Sequence, residues 1–322
     1  MEETIKFILV DMDEYLTANQ SQKLQQVLIS RLTNRTETIS KLTNFNYLEM
    51  FLNAKKIEGC SERTLAYYET TIKKLLVDFT EPIRKIATDD IRGYLSNYQE
   101  INNCSKTTID NIRRNISSFF TWLEEEDYII KSPMRRIHKI KTVKMVKEII
   151  SDEEIERLRD RCDSLRDLAM IDLLYSTGIR VGELVHLNIE DVNFEERECI
   201  VLGKGDKERK VYFDAKTKIH LQGYINSRSD NNEALFVSLD APYDRLKISG
   251  VEIRLRSLGR ELGIGRIHPH KFRRTMATRA IDKGMPIEQV QKLLGHSQID
   301  TTMHYAIVNQ SNVKVSHRKF IA

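Results

Sequence analysis

The sequence predicts a mainly α-helical protein with a small antiparallel β-sheet, divided into two domains. Three observations lead to this expectation. The chain has 322 residues, and a typical domain has roughly 100–200. Apolar residues recur at intervals of three and four along most of the chain, which is the spacing of an amphipathic helix. One stretch, 198–213, instead holds two short β-prone runs around a glycine-containing turn, which indicates a hairpin.

Composition narrows the class of protein. Hydrophobic residues make up 40% of the chain and charged residues 30%, with few glycines and prolines, which is typical of a folded protein. The longest apolar runs, such as 7–10, are far shorter than the roughly 20 residues that span a bilayer, and Glu2 and Glu3 argue against a secretory signal. We therefore expect a cytoplasmic protein without a membrane segment.

The cysteines are spaced too widely for a zinc site or a dense disulfide framework. None of them forms a CxxC pair, and we expect reduced thiols. They are Cys60, Cys104, Cys162 and Cys199.

The first part of the chain is predicted to be helical throughout. Residues 1–42 are predicted to form an N-terminal helical extension, in which the apolar spacing suits one amphipathic helix. Residues 43–130 carry four amphipathic stripes, and Ser61 and Ser105 precede two of them as helix-capping residues. Four short helices make a small all-α domain. The aromatic residues around the single tryptophan, Trp122, are expected in its core.

Segment 131–148 is strongly basic and contains Pro133, and it is predicted to link the two domains. Seven bases face the single acid Glu148, a local charge of +6. Charge alone leaves two interpretations open, a solvated connector or a surface that contacts nucleic acid. The bases are Lys131, Arg135, Arg136, Lys139, Lys141, Lys144 and Lys147.

Residues 149–322 are predicted to form a second domain of mixed composition. Ser151 and Glu154 have the spacing of a capping box at the start of a helix. The hairpin strands at 198–202 and 209–213 follow, and a third short strand is expected at 234–237. Helices return after residue 247, with a break at 284–286.

Two segments of the second domain place a cation in a setting that suggests function. Arg180 and Glu183 lie three residues apart on a predicted helix, so the carboxylate can orient the guanidinium. A plain surface salt bridge is the alternative, and the apolar neighbourhood weighs against it. Lys204 lies between two glycines at the hairpin tip, where the backbone can approach a ligand closely, although lysine is also common in exposed turns.

His270 and Arg273 lie in a third candidate segment. Three residues apart on a helix, they present an imidazole and a planar guanidinium to one point, which suits a phosphate group. The alternative is a zinc pair of His268 and His270, but no third ligand with suitable spacing is evident, so no metal is expected.

These residues resemble the tyrosine recombinase (phage integrase) family, and more closely its Xer-like members. The resemblance covers about residues 45–320. A small departure is Arg274, where Xer-like relatives usually have histidine. The matching segments are TGIRVGEL around Arg180, GKGDKER around Lys204, the HxxR pair of His270 and Arg273, LLGHS at His296, and Tyr305 nine residues later.

The resemblance implies a fold and a mechanism. The fold would be a two-domain DNA clamp, with a four-helix core-binding domain and a mixed α/β catalytic domain. Tyr305 would attack a DNA phosphate and form a 3′-phosphotyrosyl bond without metal or cofactor. Roles for the other residues follow the family pattern: Arg180, Arg273 and His296 stabilise the transition state, Lys204 is the general acid, His270 takes the tyrosine proton, and Glu183 orients Arg180.

Partners and biological role follow from the same resemblance. The partners would be double-stranded DNA recombination sites and further copies of the chain, with a monomer or dimer when free and a tetramer on two sites. A C-terminal helix after Tyr305 would dock on a neighbouring copy. A bacterial or phage origin and a role in integration, excision or inversion are expected. The alternatives are Xer-type chromosome dimer resolution, a type IB topoisomerase and a non-cleaving architectural factor of the same fold.

Overall fold

The computed structural model describes residues 2–40, 42–141, 148–203 and 208–295, with side chains from 4 to 29 in the first of these ranges. The chain divides into two compact units, Met1–Lys144 and Met145–Ala322. Helices predominate and the described strands form one small antiparallel sheet, which confirms the predicted fold class. The expectations for Lys144, Lys147, Lys204, His296, Tyr305 and the C-terminal helix lie outside the described residues.

The first unit begins with two helices, α1 (Glu2–Asp11) and α2 (Ala18–Ser40), where the apolar spacing suggested a single amphipathic helix. The break has a local cause. The Thr17 hydroxyl and backbone N–H both donate to the side-chain oxygen of Gln20, which fixes the start of α2.

Four helices then form the body of the first unit, as predicted. Ser61 and Ser105 cap the second and fourth of them, since their hydroxyls accept the backbone N–H of Thr64 and Thr108. The helices are α3 (Asn44–Ile57), α4 (Glu62–Asp78), α5 (Thr88–Asn102) and α6 (Lys106–Glu125).

An aromatic cluster lies at the centre of these four helices. Phe51 meets Phe119 and Trp122 edge to face, with ring centroids 5.3 and 5.7 Å apart. Trp122 is buried, which confirms its predicted place in the core. Full burial of a side chain of this size contributes about 1.5–3 kcal/mol.

The first half of the basic segment packs against the same unit. Pro133–Arg136 form a single 3-10 turn in which Met134 is buried. The backbone N–H of Ile140 donates to the Asp110 carboxylate at 3.0 Å. Burial by itself raises the pKa of Asp110, but this bond and that from Arg113 bring the pKa below its ordinary value. Residues 132–141 therefore belong to the first unit's packing.

The second unit contains the sheet and further helices. The strands pair antiparallel in the order β1-β2-β3, and the opposed Cys199 and Val211 both face the core. The helices are α7 (Asp152–Asp160), α8 (Leu165–Thr177), α9 (Val181–His186), α10 (Ala215–Asn226), α11 (Ile248–Glu261), α12 (Pro269–Asp282) and α13 (Ile287–Leu294). The strands are β1 (Val192–Asn193), β2 (Glu198–Leu202) and β3 (Glu208–Tyr212).

The structure confirms three predictions for this unit: the hairpin, the capping box of Ser151 and Glu154, and the break between α12 and α13. The predicted strand at 234–237 is wrong. Ala234 and Val237 form only isolated bridges, and the third strand is β1 instead. The whole run is buried, and a short apolar run of this kind looks the same in a strand and in an irregular core segment.

Helix α8 is the centre of the second unit. It packs against α7, α10 and α12, and its residues Met170, Ile171, Leu173 and Leu174 are fully buried. Because α8 is enclosed by its neighbours, the chain that leaves its C-terminal end is delivered to a fixed position. That chain carries Arg180.

Two further observations concern the described residues. None of their helices is long and apolar enough to cross a membrane. All four cysteines are free thiols.

Candidate active site

Five chain segments of the second unit meet around the C-terminal end of α13. They are the end of α8, the start of α9, strand β3, helix α12 and the last turn of α13. Each of the middle three contributes one arginine: Arg180 at the start of α9, Arg209 on β3 and Arg273 on α12.

Three consecutive carbonyl groups at the end of α13 each accept a hydrogen bond from a different arginine. The Leu293 oxygen accepts Arg209 Nε at 3.0 Å, and the Leu294 oxygen accepts Arg273 Nη2 at 2.6 Å. The Gly295 oxygen accepts Arg180 Nη2 at 3.0 Å. The last carbonyls of a helix have no partner within it and carry the negative end of its dipole, so they attract cations. The end of α13 therefore gathers the three guanidiniums.

Glu183 is the carboxylate at the centre of this cluster. Its Oε2 accepts the backbone N–H of Arg180 at 2.8 Å, because Arg180 caps α9 and Glu183 is the third helical residue. Its Oε1 accepts Arg180 Nη1 at 2.7 Å. Arg209 binds both carboxylate oxygens, each at 2.7 Å. One buried acid thus orients two arginines from different segments.

The protonation state of Glu183 follows from these contacts. Burial alone raises the pKa of its carboxyl. The hydrogen bonds from Arg209 and from the Arg180 backbone and side chain outweigh burial and bring the pKa below its ordinary value of 4.5. Glu183 is therefore ionised at neutral pH, as orientation of a guanidinium requires.

Arg273 is almost completely buried, with 2% of its surface exposed. Its Nη1 donates to the Gly178 carbonyl at 2.8 Å and its Nη2 to that of Leu294. These bonds join the end of α8 to the end of α13 through α12. A buried guanidinium held by main-chain carbonyls keeps its full positive charge.

Two glycines shape the carbonyl acceptors. Gly178 ends α8 with φ 62° and Gly295 ends α13 with φ 64°, both in the left-handed region that favours glycine. A Cβ atom on Gly178 would lie 2.3 Å from the Met276 side chain, and one on Gly295 would lie 3.0 Å from Cδ of Arg209. Both positions need glycine for conformation, and a Cβ atom would also displace the terminal methyl of Met276 at the first position or the Arg209 side chain at the second.

The start of α12 adds more positive charge beside the cluster. His268 caps the helix and is partly buried, and burial lowers its pKa. The nearby cations Arg274, Arg266 and Lys271 lower it further, since they oppose a second positive charge. His268 is therefore held toward its neutral form, first by burial and then by the cations at this end of α12.

The structure places the sequence-predicted residues as follows. Arg180, Glu183 and Arg273 come together at the end of α13. His270 is exposed on the first turn of α12, one helical turn before Arg273. Lys204, His296 and Tyr305 lie outside the described residues, and the described chain stops at Gly295.

Sequence reasoning missed Arg209 and the three carbonyl acceptors. Arg209 is 26 residues from Glu183, and only the packing of β3 against α9 brings them together. The signal that could have pointed to it is an arginine shortly after the glycine-rich turn, in a half-buried position of a strand. The carbonyl acceptors belong to the main chain, so the pattern of side chains in the sequence does not reveal them.

The predicted DNA-contacting bases are surface residues where they are described. Lys131, Arg136, Lys139 and Lys141 are exposed. Arg135 is also exposed and pairs with Glu124 at 2.6 Å. In the described ranges, no group of three or more histidine, cysteine or acidic side chains is placed to hold a metal ion.

Two family models match this chain. The model of the phage integrase family matches residues 148–312, and that of the phage integrase N-terminal SAM-like domain matches residues 47–130. The chain belongs to the phage integrase family. It is a tyrosine recombinase of the Xer-like type, and this family of enzymes cleaves and rejoins DNA strands.

One relative and two solved structures illustrate the similarity of sequence and of fold. Tyrosine recombinase XerC of Staphylococcus aureus (strain MSSA476) is 32% identical over 281 residues, which cover 83% of this chain and 93% of the relative. The solved lambda integrase dimer bound to a COC′ core site is 19% identical, covering 89% of this chain and 85% of that one, with a TM-score of 0.70. The XerH recombinase bound to a difH substrate is 19% identical, covering 97% and 93%, with a TM-score of 0.68.

Proposed function

We propose that the arginine cluster at the end of α13 binds the scissile phosphate of a DNA recombination site, and that Tyr305 is the nucleophile. The observation that carries this proposal is the trio of consecutive carbonyls that hold Arg209, Arg273 and Arg180. These carbonyls lie directly before His296 and ten residues before Tyr305 in the sequence. The segment that fixes the arginines is therefore followed in the sequence by two further predicted site residues, His296 and Tyr305.

The proposed reaction needs no metal. The Tyr305 oxygen attacks the phosphorus, a 3′-phosphotyrosyl bond forms and the bond to the 5′ oxygen breaks. His270 takes the phenol proton, and Lys204 gives a proton to the leaving 5′ oxygen. A 5′ hydroxyl of a second strand then reverses these steps, so the bond energy is retained. Arg180, Arg273 and His296 stabilise the negative charge on the non-bridging oxygens.

We further propose that residues 43–130 and 149–322 are the core-binding and catalytic domains, joined by 131–148 after an N-terminal extension at 1–42. The seven bases of 131–148 would bind DNA phosphates, and their exposure where described supports this role. The solved lambda integrase and XerH structures are complexes with their own DNA sites. This chain would act in the cytoplasm as a tetramer on two sites, with its C-terminal helix docked on a neighbouring copy.

The proposed biological role is integration and excision of a mobile element, or inversion of a DNA segment, in a bacterium or phage. The N-terminal helices α1 and α2 support it, because they lie outside both matched family models and provide room for accessory contacts. Chromosome dimer resolution is the second candidate, supported by the match to XerC over 93% of that relative. Mapping the DNA sites that flank the coding region, and assaying each for strand exchange, separates the two roles.

A suicide substrate tests the proposed mechanism. It carries a nick that lets the short 5′-hydroxyl strand diffuse away, so that the covalent intermediate accumulates. The unmodified protein should form an adduct that survives denaturant, and Tyr305→Phe should form none while it binds the same DNA with unchanged salt dependence. An adduct in Tyr305→Phe, or none in the unmodified protein, would refute the proposed nucleophile. Relaxation of supercoils without exchange between sites would indicate topoisomerase activity instead.

A further inference from the structure

All three side-chain nitrogens of Arg209 donate hydrogen bonds within the cluster. Its Nη1 and Nη2 bind the two oxygens of Glu183, each at 2.7 Å, and its Nε binds the Leu293 carbonyl at 3.0 Å. Only 13% of its side chain is exposed. One buried guanidinium thus ties strand β3 to the start of α9 and to the end of α13.

The charges of this network do not cancel. The one negative charge of Glu183 is shared by the two positive charges of Arg180 and Arg209. These three side chains together therefore retain one formal positive charge. Arg209 forms a bidentate pair with both carboxylate oxygens, whereas the Arg180 side chain donates to one of them through one nitrogen. The Arg180 side chain is 40% exposed, three times the fraction of Arg209. The remaining charge is therefore presented to solvent through Arg180.

We propose that Arg209 is a positioning residue that neutralises Glu183 and so leaves the charge of Arg180 available to the scissile phosphate. The inference rests on the proposed function, because it assigns the phosphate to Arg180. Without Arg209, the pair of Arg180 and Glu183 would have no net charge. The negative charge of Glu183 would then offset the attraction of Arg180 for the phosphate. Arg209 acts through Glu183 and Arg180 and does not itself contact DNA.

The first test compares single-turnover rates of adduct formation on the suicide substrate. Arg209→Gln should lower the rate by about 100-fold, because Glu183 would then neutralise Arg180 and the effect should approach the loss of that one transition-state donor. Affinity for the DNA site should change far less than the rate. The double variant Arg209→Gln with Glu183→Gln restores the net positive charge. Its rate should be at least about tenfold higher than that of Arg209→Gln alone.

That recovery separates the proposal from a purely structural role. If Arg209 only supported the fold, removal of a second buried group would slow the reaction further or leave it unchanged, and this result would overturn the proposal. Arg228→Gln is the matched control, because Arg228 is a similarly buried arginine of the second unit that pairs with Asp230. It should leave the rate of adduct formation unchanged.

Arg209→Lys keeps the test decisive if Arg209→Gln does not fold, which thermal unfolding will reveal. Lysine retains the charge but cannot form the bidentate hydrogen bonds of a guanidinium. The rate of adduct formation by Arg209→Lys should therefore stay within about tenfold of that of the unmodified protein. A rate as low as that of Arg180→Ala would overturn the proposal. No adduct with the unmodified protein would refute the proposed function itself, whereas a normal adduct together with an unimpaired Arg209→Gln would refute only the role of Arg209.

Discussion

Two clusters of arginines and acids in the second unit differ in net charge. In the cluster at the end of α13, Arg180 and Arg209 share the carboxylate of Glu183, so these three groups carry a surplus of one positive charge. In the cluster between α8 and α11, three arginines meet three acids and the formal charges cancel. Its members are Arg161, Arg166, Arg254, Asp163, Asp167 and Glu261.

The difference teaches how to separate a binding site from a structural network. In the balanced cluster, Asp167 is 1% exposed and is bound by Arg166 at 2.7 Å and Arg254 at 2.6 Å, so each buried charge has an opposite charge beside it. In the α13 cluster, main-chain carbonyls accept hydrogen bonds from all three arginines. Carbonyls orient guanidiniums without cancelling their charge. Such an arrangement suits an anion that arrives from outside.

The largest expected effect separates the two clusters by rate. Arg180→Ala should slow adduct formation by about 10²–10³-fold, equivalent to about 2.7–4 kcal/mol of barrier, because one donor to the transition-state anion is lost. Arg254→Ala should leave the rate of the folded protein unchanged and lower its free energy of unfolding by about 1.5–3 kcal/mol. Single-turnover kinetics and urea unfolding measure both quantities. Equal loss of rate in the two variants would show that the charge surplus has no functional meaning.

The next effect concerns the glycine that supplies a carbonyl to Arg273. Gly178→Ala should lower the free energy of unfolding by about 1–3 kcal/mol from backbone strain and by more from the contact with Met276. Gly263→Ala is the matched control, since Gly263 has φ 66° and nothing within 4 Å of a Cβ atom. It should cost only about 1–2 kcal/mol. Equal losses of stability, with equal rates of cleavage, would contradict the tight packing inferred around Gly178.

Sequence reasoning reached the parts of the site that are local. The three-residue spacing of Arg180 and Glu183 predicted their pairing, and the residues at 284–286 predicted the break between α12 and α13. Helix positions in the first unit were predictable because caps and apolar periodicity are local as well. Arg209 and the carbonyl acceptors depend on how distant segments pack. The wrong strand at 234–237 has the same origin, since only tertiary context decides how a short buried run folds.

A smaller effect is expected in the pH dependence of stability. The pKa of Glu183 is lower in the folded protein than its ordinary 4.5, so the ionised carboxylate stabilises the fold at neutral pH. This stabilisation is lost as pH falls through the folded-state pKa. The unmodified protein should therefore exceed Glu183→Gln in free energy of unfolding at pH 7, and the difference should shrink below pH 4.5. Urea unfolding at the two pH values measures it, and a constant difference would contradict the assigned ion pairs.

The smallest effect extends the comparison to surface charges. Lys139 is exposed in the basic segment, whereas Lys85 pairs with Glu81 at 3.1 Å in the same unit. Lys139→Gln should reduce the slope of log binding constant against log salt by about 0.9, the value for one released phosphate contact. Lys85→Gln should leave the slope unchanged. Equal slopes for both variants and the unmodified protein would remove Lys139 from the proposed DNA surface.

The most direct test of the charge surplus is to remove the negative charge that it is proposed to bind. A DNA site with a neutral methylphosphonate at the scissile position keeps the reacting phosphorus but lacks the negative charge of the ordinary diester, so its transition state has one anionic oxygen fewer to be stabilised. On this substrate, strand cleavage by Arg180→Ala should come within about tenfold of the unmodified protein, against the 10²–10³-fold deficit expected on ordinary DNA. If Arg180→Ala is equally impaired on both substrates, the arginine cluster does not serve to neutralise the phosphate.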